Sequence, residues 1–360
     1  MSDTAKPIKS FRSRFIFPVI SIFISVMIAL LIGEFAVRQL QLSKTWASYI
    51  DRDQVLQKIT TEKKIGFTRI PNCEFEAPRH IIFKINSRGF RDVNHTEKND
   101  STKTRIAFIG DSVTEGFGVE TETRFSNVFE NKVNEVYHGM LETFNFGIAG
   151  YSTMDELEIL KSEVLACDPH YVFLQMNLND FSRNEDQEKY LQSGKSKSFH
   201  FENSKDFGEK STGIIGWLQE HSALYLYIAE TYNYNKLRNN ISNGMTPSGA
   251  SIKINQWNLT CRLLSEMDSV CRINNSTLIV SYIPLETEVL IGSDSIGNYI
   301  NNKIHEFCSS KKILSLPVIS ELRKAENKNS LFLDNCHLSV EGNRIVAEKL
   351  SSVLLSTIHR

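Results

Sequence analysis

The chain has no C-x-x-C pair: Cys73, Cys167, Cys261, Cys271, Cys308 and Cys336 stand far apart. That scatter argues against a zinc site of the usual ligand spacing, and it reads for most of them as small buried apolar residues. Charge of one sign is also missing, since 41 basic residues face 42 acidic ones for a net of -1. No global field therefore draws the chain to nucleic acid or to an anionic surface. No internal repeat is present, which excludes a solenoid. With 360 residues and ample apolar content, one large domain or two small ones can bury a core.

One long uncharged run is present. From Phe15 to Gly33 there are 19 residues without a charge, which as a helix span about 28 Å, close to the thickness of a hydrocarbon core. A cleaved signal peptide competes with this reading, but its apolar region is usually shorter and no small-x-small site follows cleanly. A core helix of a soluble protein is the blander alternative. Lys6, Lys9, Arg12 and Arg14 crowd the N-terminal side while Arg38 and Lys44 are sparser beyond it. The positive-inside rule then expects residues 1–14 in the cytoplasm, a single-pass membrane anchor at 15–33, and the rest in the periplasm or outside the cell.

Residues 34–104 read as a linker and packing region, with a strand-like alternation from Phe83 before Gly89. From residue 105 the pattern becomes strand, helix, strand, helix. Strands are predicted at 105–109, 143–146, 171–175, 278–282 and 313–316. Helices are predicted at 124–137, where Phe125, Val128, Phe129, Val133 and Val136 keep helical spacing, at 153–167, and at 339–356. Ser152 and Thr153 are expected to cap the second of these, with Asp155 and Glu156 supplying negative charge to its N-terminus. Such alternation means a parallel sheet with helices on both faces. The interval of about 90 residues between the third and fourth strands is too long for a plain loop, and an insertion is expected at about 185–255. Its aromatic stretch, Ile214–Leu237 with Trp217 and Tyr225, reads either as a helical insertion packed on the domain or as a lid, substrate or membrane-facing surface.

In a parallel sheet, ligands sit outside the carboxyl ends of the strands. Ser112 follows the first strand, Gly150 the second and Asn179 the third, while Asp334 and His337 precede the last helix. Each has an ordinary explanation: Ser112-x-x-Glu115 is also a capping box, Gly150 a turn glycine, Asn179 a helix cap, His337 a loop histidine. Together they supply a nucleophile, a base, an orienting carboxylate and two donors at one edge.

The order of these motifs resembles the SGNH hydrolases, also called the GDSL esterase and lipase family. The resemblance runs over residues 83–356 and rests on Gly110-Asp111-Ser112-Val113, on Asn145-Phe146-Gly147-Ile148-Ala149-Gly150, on Asn177-Leu178-Asn179-Asp180, and on Asp334-Asn335-Cys336-His337. The segment Asn86-Ser87-Arg88-Gly89-Phe90-Arg91, with the N-terminal anchor, is similar to a bacterial envelope branch of that family. What the resemblance implies is a flavodoxin-like three-layer α/β sandwich with a central parallel sheet of about five strands, as a domain at 105–360 behind the transmembrane helix. It implies a serine esterase with Ser112, His337 and Asp334 as catalytic residues and Gly150 and Asn179 as oxyanion donors. No metal or cofactor is required. The expected substrate is a cell-envelope ester, an O-acetylated polysaccharide or a lipid. Transfer of the acyl group to a sugar hydroxyl, or a non-catalytic carbohydrate-binding or assembly role on the same fold, are the alternatives. Two departures stand out: Asn177 where a glycine is common, and Cys336 between acid and base. No G-x-S-x-G occurs, which disfavours the nucleophile elbow of the α/β-hydrolases.

Overall fold

The computed structural model describes residues 11–40, 42–43, 57–59, 67–95, 102–137, 139–192, 213–242, 252–291 and 296–358. In chain order its elements are α1 (Phe11–Gln39), β1 (Gln57–Ile59), β2 (Phe67–Arg69), β3 (Glu74–Ala77), β4 (Ile81–Lys84), β5 (Thr104–Ile109), α2 (Ser112–Glu115), α3 (Phe125–Tyr137), β6 (Leu141–Asn145), α4 (Thr153–Ser162) and β7 (Tyr171–Met176). They continue as α5 (Asn179–Gln192), α6 (Gly213–His221), α7 (Ala223–Ser242), α8 (Ile254–Ile273), β8 (Thr277–Tyr282), α9 (Glu286–Ile291), α10 (Ile296–Lys311), β9 (Leu314–Ser315), α11 (Ile319–Lys324) and α12 (Val340–Ile358). Two compact units result, residues 1–50 with 204–235 and residues 51–203 with 236–360.

The larger unit is built on a five-stranded sheet in the order β6-β5-β7-β8-β9, parallel throughout. Counted within the sheet this is the order 2-1-3-4-5 of flavodoxin-like folds, as expected, and the order reverses between β5 and β7. β5 is buried almost from end to end, as a strand covered on both faces must be, which explains its continuous apolar run. Ala107, Ile109, Val172 and Leu174 pack on one face against α4, α8 and α10. On the other face Phe108 meets the rings of Phe125, Phe129 and Phe173 at 5.6, 6.0 and 5.2 Å, and α12 closes that layer through Val346, Ala347 and Leu350. Residues 67–95 add the antiparallel pair β3 and β4 with its own small cluster of Phe75, Ala77, Phe83 and Ile85.

Three expectations change. The helix predicted to reach Cys167 ends at Ser162 and tightens into a 3-10 turn over Val164–Cys167, and Asp168, which turns into the left-handed region at φ 49°, precedes Pro169, a position where α geometry is disfavoured. Helices α8 to α11, absent from the sequence reading, occupy 254–324. Glu156, expected to lend negative charge to the N-terminus of α4, is buried, and burial first and the carboxyls of Asp180, Asp111 and Asp155 next push its pKa well above the usual range.

The smaller unit holds α1 together with α6 and the first part of α7. α1 extends beyond the apolar run at both ends and holds Pro18 within it, and its stretch Ile16–Gln39 is long and apolar enough to cross a membrane. Of the expected insertion, residues 185–192 belong to α5 and the aromatic stretch forms α6 and α7, while 193–212 and 243–251 lie outside the described residues. Trp217 is 54% exposed, so it is not the packed core residue that the plainer reading of that stretch expects.

Candidate active site

Ser112 stands three residues beyond the end of β5, at the first turn of α2. The bend before it needs Gly110, because a Cβ there would lie 2.2 Å from Thr114 Oγ1 and 2.6 Å from Gln175 Oε1. The capping box expected from Ser112 and Glu115 does not form. Asp111 is the cap, its Oδ1 accepting the Val113 N–H at 3.0 Å, and the Glu115 carboxylate turns elsewhere. Ser112 Oγ is thereby left to face His337, 2.8 Å from Nε2.

His337 is 225 residues away in sequence, on a loop pinched shut by an antiparallel bridge between Phe332 and Leu338 and by the Leu333 N–H donating to His337 O at 2.8 Å. Asp334 organises this loop: Oδ1 accepts the N–H groups of Cys336 and His337 at 2.9 and 2.8 Å, and Oδ2 lies 2.8 Å from His337 Nδ1. With Asp334 as acceptor, Nδ1 carries the proton and Nε2 is free to accept from Ser112. Burial by itself would lower the imidazole pKa, but the Asp334 carboxylate, with Cys336, outweighs it and holds His337 well above its ordinary value. Burial likewise pushes the Asp334 carboxyl up, and the His337 ring and the two backbone donors overcome this and hold it well below the usual range. The ring of Phe117 packs on His337 with centroids 4.3 Å apart.

Cys336 Sγ lies 3.5 Å from Nδ1, and none of the six cysteines is in a disulfide. Asp334, Cys336 and His337 offer three atoms of metal-ligand type within 4.8 Å of one another, two of which are hydrogen-bonded to each other.

Asn179 opens α5, three residues after the end of β7. Its Nδ2 is 3.4 Å from Asp111 Oδ2, and its Oδ1 is buried without a hydrogen-bond partner. Asn177 is committed to structure: Nδ2 donates to Asp111 at 2.9 Å and Oδ1 accepts the Asn179 N–H at 3.0 Å. Below them Asp180 accepts from the N–H groups of Asn177 and Thr153, and burial, with Asp111 beside it, pushes its pKa up to about 7. Gly150 ends the loop after β6 with φ 88°, a conformation suited to glycine. That loop runs tight against α2, since a Cβ on Gly147 would stand 2.3 Å from the Glu115 backbone nitrogen.

The motifs do not reveal that Glu115 pairs with Arg69. Arg69 Nε and Nη2 donate to the two Glu115 oxygens at 3.0 and 3.1 Å, both side chains buried. Glu115 Oε2 also accepts the Ala149 N–H at 2.9 Å, so one carboxylate ties the turn after Ser112 to the loop that carries Gly150. Arg91, also buried, donates to the carbonyls of Glu115, Gly116 and Val119. The signal available in the sequence is an arginine at each end of a polar region facing one glutamate, which has no periodicity to mark it.

A doubly wound parallel sheet with a hydrogen-bonded serine, histidine and aspartate at the switch-point edge defines a class, the α/β esterases that use a serine. Residues 108–345 match the family model of the GDSL-like Lipase/Acylhydrolase family, and the chain belongs to that family. It is an esterase of the SGNH/GDSL type. No curated protein matches the chain. Solved structures similar to it include a lipolytic protein of the G-D-S-L family from Veillonella parvula, 14% identical over 70% of this chain and 98% of that one, TM-score 0.41. Another is a catalytic mutant of an acetylxylan esterase from Geobacillus stearothermophilus, 14% identical over 69% and 92%, TM-score 0.43. A putative lipolytic protein of the same family from Desulfitobacterium hafniense is 17% identical over 70% and 99%, TM-score 0.39.

Proposed function

We propose that the protein hydrolyses an acyl ester of the cell envelope, an O-acetyl group on polysaccharide or a lipid ester, through an acyl-Ser112 intermediate. The observation that carries this reading is the unbroken relay from Ser112 Oγ to His337 Nε2 and from His337 Nδ1 to Asp334 Oδ2, both at 2.8 Å. A serine hydroxyl is a weak nucleophile until a base takes its proton. His337 accepts that proton as Oγ bonds to the ester carbon, and Asp334 stabilises the imidazolium. The carbonyl oxygen becomes an oxyanion, received by the backbone N–H groups of Ser112 and Gly150 and the amide of Asn179. Collapse expels the alcohol, which takes the proton from His337. Water then adds to the acyl carbon by the same route and the acid leaves. An acceptor hydroxyl in place of water would make the same intermediate a transferase.

α1 is the proposed anchor, with the basic N-terminal flank inside and the esterase unit on the far side of the membrane. Its end is bonded into the smaller unit through Glu34 and Arg38, which favours a retained helix over a cleaved leader. A fluorophosphonate reagent should add one adduct to the folded protein, at Ser112. Intact-mass spectra without that adduct would remove the acyl-enzyme. Reporter fusions after Thr104 should be active only for the exported reporter.

A further inference from the structure

The charge-free run of α1 ends at Gly33, and the next residue is bonded into another helix pair. Glu34 Oε1 accepts the Ala223 N–H at 2.9 Å, and Oε2 accepts the Leu224 N–H at 3.0 Å and the Ser222 hydroxyl at 2.8 Å. One turn on, Arg38 Nη2 donates to His221 O at 2.8 Å. A Cβ on Gly33 would lie 3.1 Å from Leu224 Cδ2, and Val37, Ala223 and Leu226 are buried around this joint. The joint between α6 and α7 is therefore held at the level where the apolar run stops, within about one helical turn, or 5.4 Å.

α6 ends at that joint. Its sequence Gly213-Ile214-Ile215-Gly216-Trp217-Leu218 is apolar at the far end, with Gln219, Glu220 and His221 toward the joint. Ile214, Ile215 and Trp217 are 70, 47 and 54% exposed, three large apolar side chains within four positions. Trp217 stacks on His221 with centroids 5.0 Å apart and planes 10° from parallel. An indole with an apolar body and a polar edge is favoured at the headgroup level of a bilayer, and a short helix with such a face lies in the interface plane.

We infer that α6 lies in the interfacial layer of the membrane beside the exit of α1, with Ile214, Ile215 and Trp217 against lipid. This rests on α1 spanning the membrane. The occupant follows from continuity: the face is tethered to the residues that leave the apolar run, so the bilayer reaches it before any soluble partner does. α6 then acts as a second contact with the same bilayer that α1 crosses.

The test uses full-length protein in phosphatidylcholine vesicles whose acyl chains are brominated either near the headgroup or near the chain end. Two proteins are compared, Trp46→Phe and Trp46→Phe with Trp217→Phe, so that the difference emission belongs to Trp217 and the packed Trp257, which stacks on Phe181, is untouched. Expected are retention of both proteins after a carbonate wash and a larger loss of the difference emission with shallow bromines than with deep ones. Retention with no loss at either depth overturns the placement of α6 and leaves the anchor standing. Release by carbonate overturns the anchor, and the inference with it. Emission lost only as protein density in the vesicles rises, whatever the lipid, assigns the face to a second copy and overturns the inference.

Discussion

Glu115 and Glu34 perform the same structural task in the two units with different surroundings. Each carboxylate joins segments far apart in the chain: Glu115 takes Arg69 from β2 and the Ala149 N–H beside Gly150, and Glu34 takes Arg38 and the first N–H groups of α7. Glu115 is sealed in the larger unit, with no exposure of its side chain against 22% for Glu34. The Glu115 bond cannot be exchanged for water, so it sets the distance between two loops at the active edge. The Glu34 bond is open to solvent and ties the start of α7 to the end of α1.

That contrast can be broken at its strong end first. His337→Ala should lower kcat by on the order of 10⁶, as removing one member of a catalytic unit does, while both units stay folded by circular dichroism. Turnover within tenfold of wild type would take the chemistry away from this edge.

Asp334→Asn should lower kcat by about 10⁴ and also change its pH dependence. In the wild type His337 must lose its proton to act, and its pKa is held above the ordinary imidazole value. Activity on the acid side therefore rises with pH through a midpoint above 6.5, the ordinary value, and the asparagine variant, lacking the carboxylate, should move that midpoint down. A midpoint that stays put would mean that another group controls the limb.

Glu115→Ala should lower stability by about 3–5 kcal/mol, because it leaves Arg69 charged and buried. Denaturant melts measure this, and Arg69→Met together with Glu115→Ala should recover much of it. Asn179→Ala should reduce kcat by about 10²–10³, or 2.7–4 kcal/mol, with an unchanged melt. Glu34→Ala is the weak end: losing a cap costs about 0.5–2 kcal/mol, so the Ala223 and Leu224 amides should exchange several-fold faster by mass spectrometry while esterase turnover holds. A Glu34 variant as destabilising as the Glu115 one would erase the distinction between the units.

The sheet was legible in the sequence because parallel strands buried on both faces must be continuous apolar runs, and all five recur within a few residues of their predicted positions. Ser112, Asn179 and Gly150 were legible because a turn follows each strand on the carboxyl edge. The 225-residue separation between Ser112 and His337 is bridged by the topology argument and by the motif order the chain shares with the SGNH hydrolases. Arg69 was not legible: it ends a three-residue strand in a polar stretch, and pairing across 46 positions leaves no local pattern. α8 does display its signal, with Leu259, Leu263, Leu264, Met267 and Cys271 at helical spacing, but reading the interval as one long insertion hides its start. The grouping of α6 and α7 with α1 rests on Glu34 and Arg38, two side chains just past an apolar run that no periodicity marks.

The bridge between Phe332 and Leu338 closes a single loop that holds both Asp334 and His337, the proposed acid and base. Opening of that bridge would disconnect the relay in one step while the sheet beneath keeps its order. Heat inactivation should then run ahead of loss of ellipticity, and the Leu333 and His337 amides, one inside the pinch and one bonded to Asp334, should exchange through a common opening with the same activation enthalpy as the loss of turnover. A substrate or acyl group lodged over His337 would slow all three together.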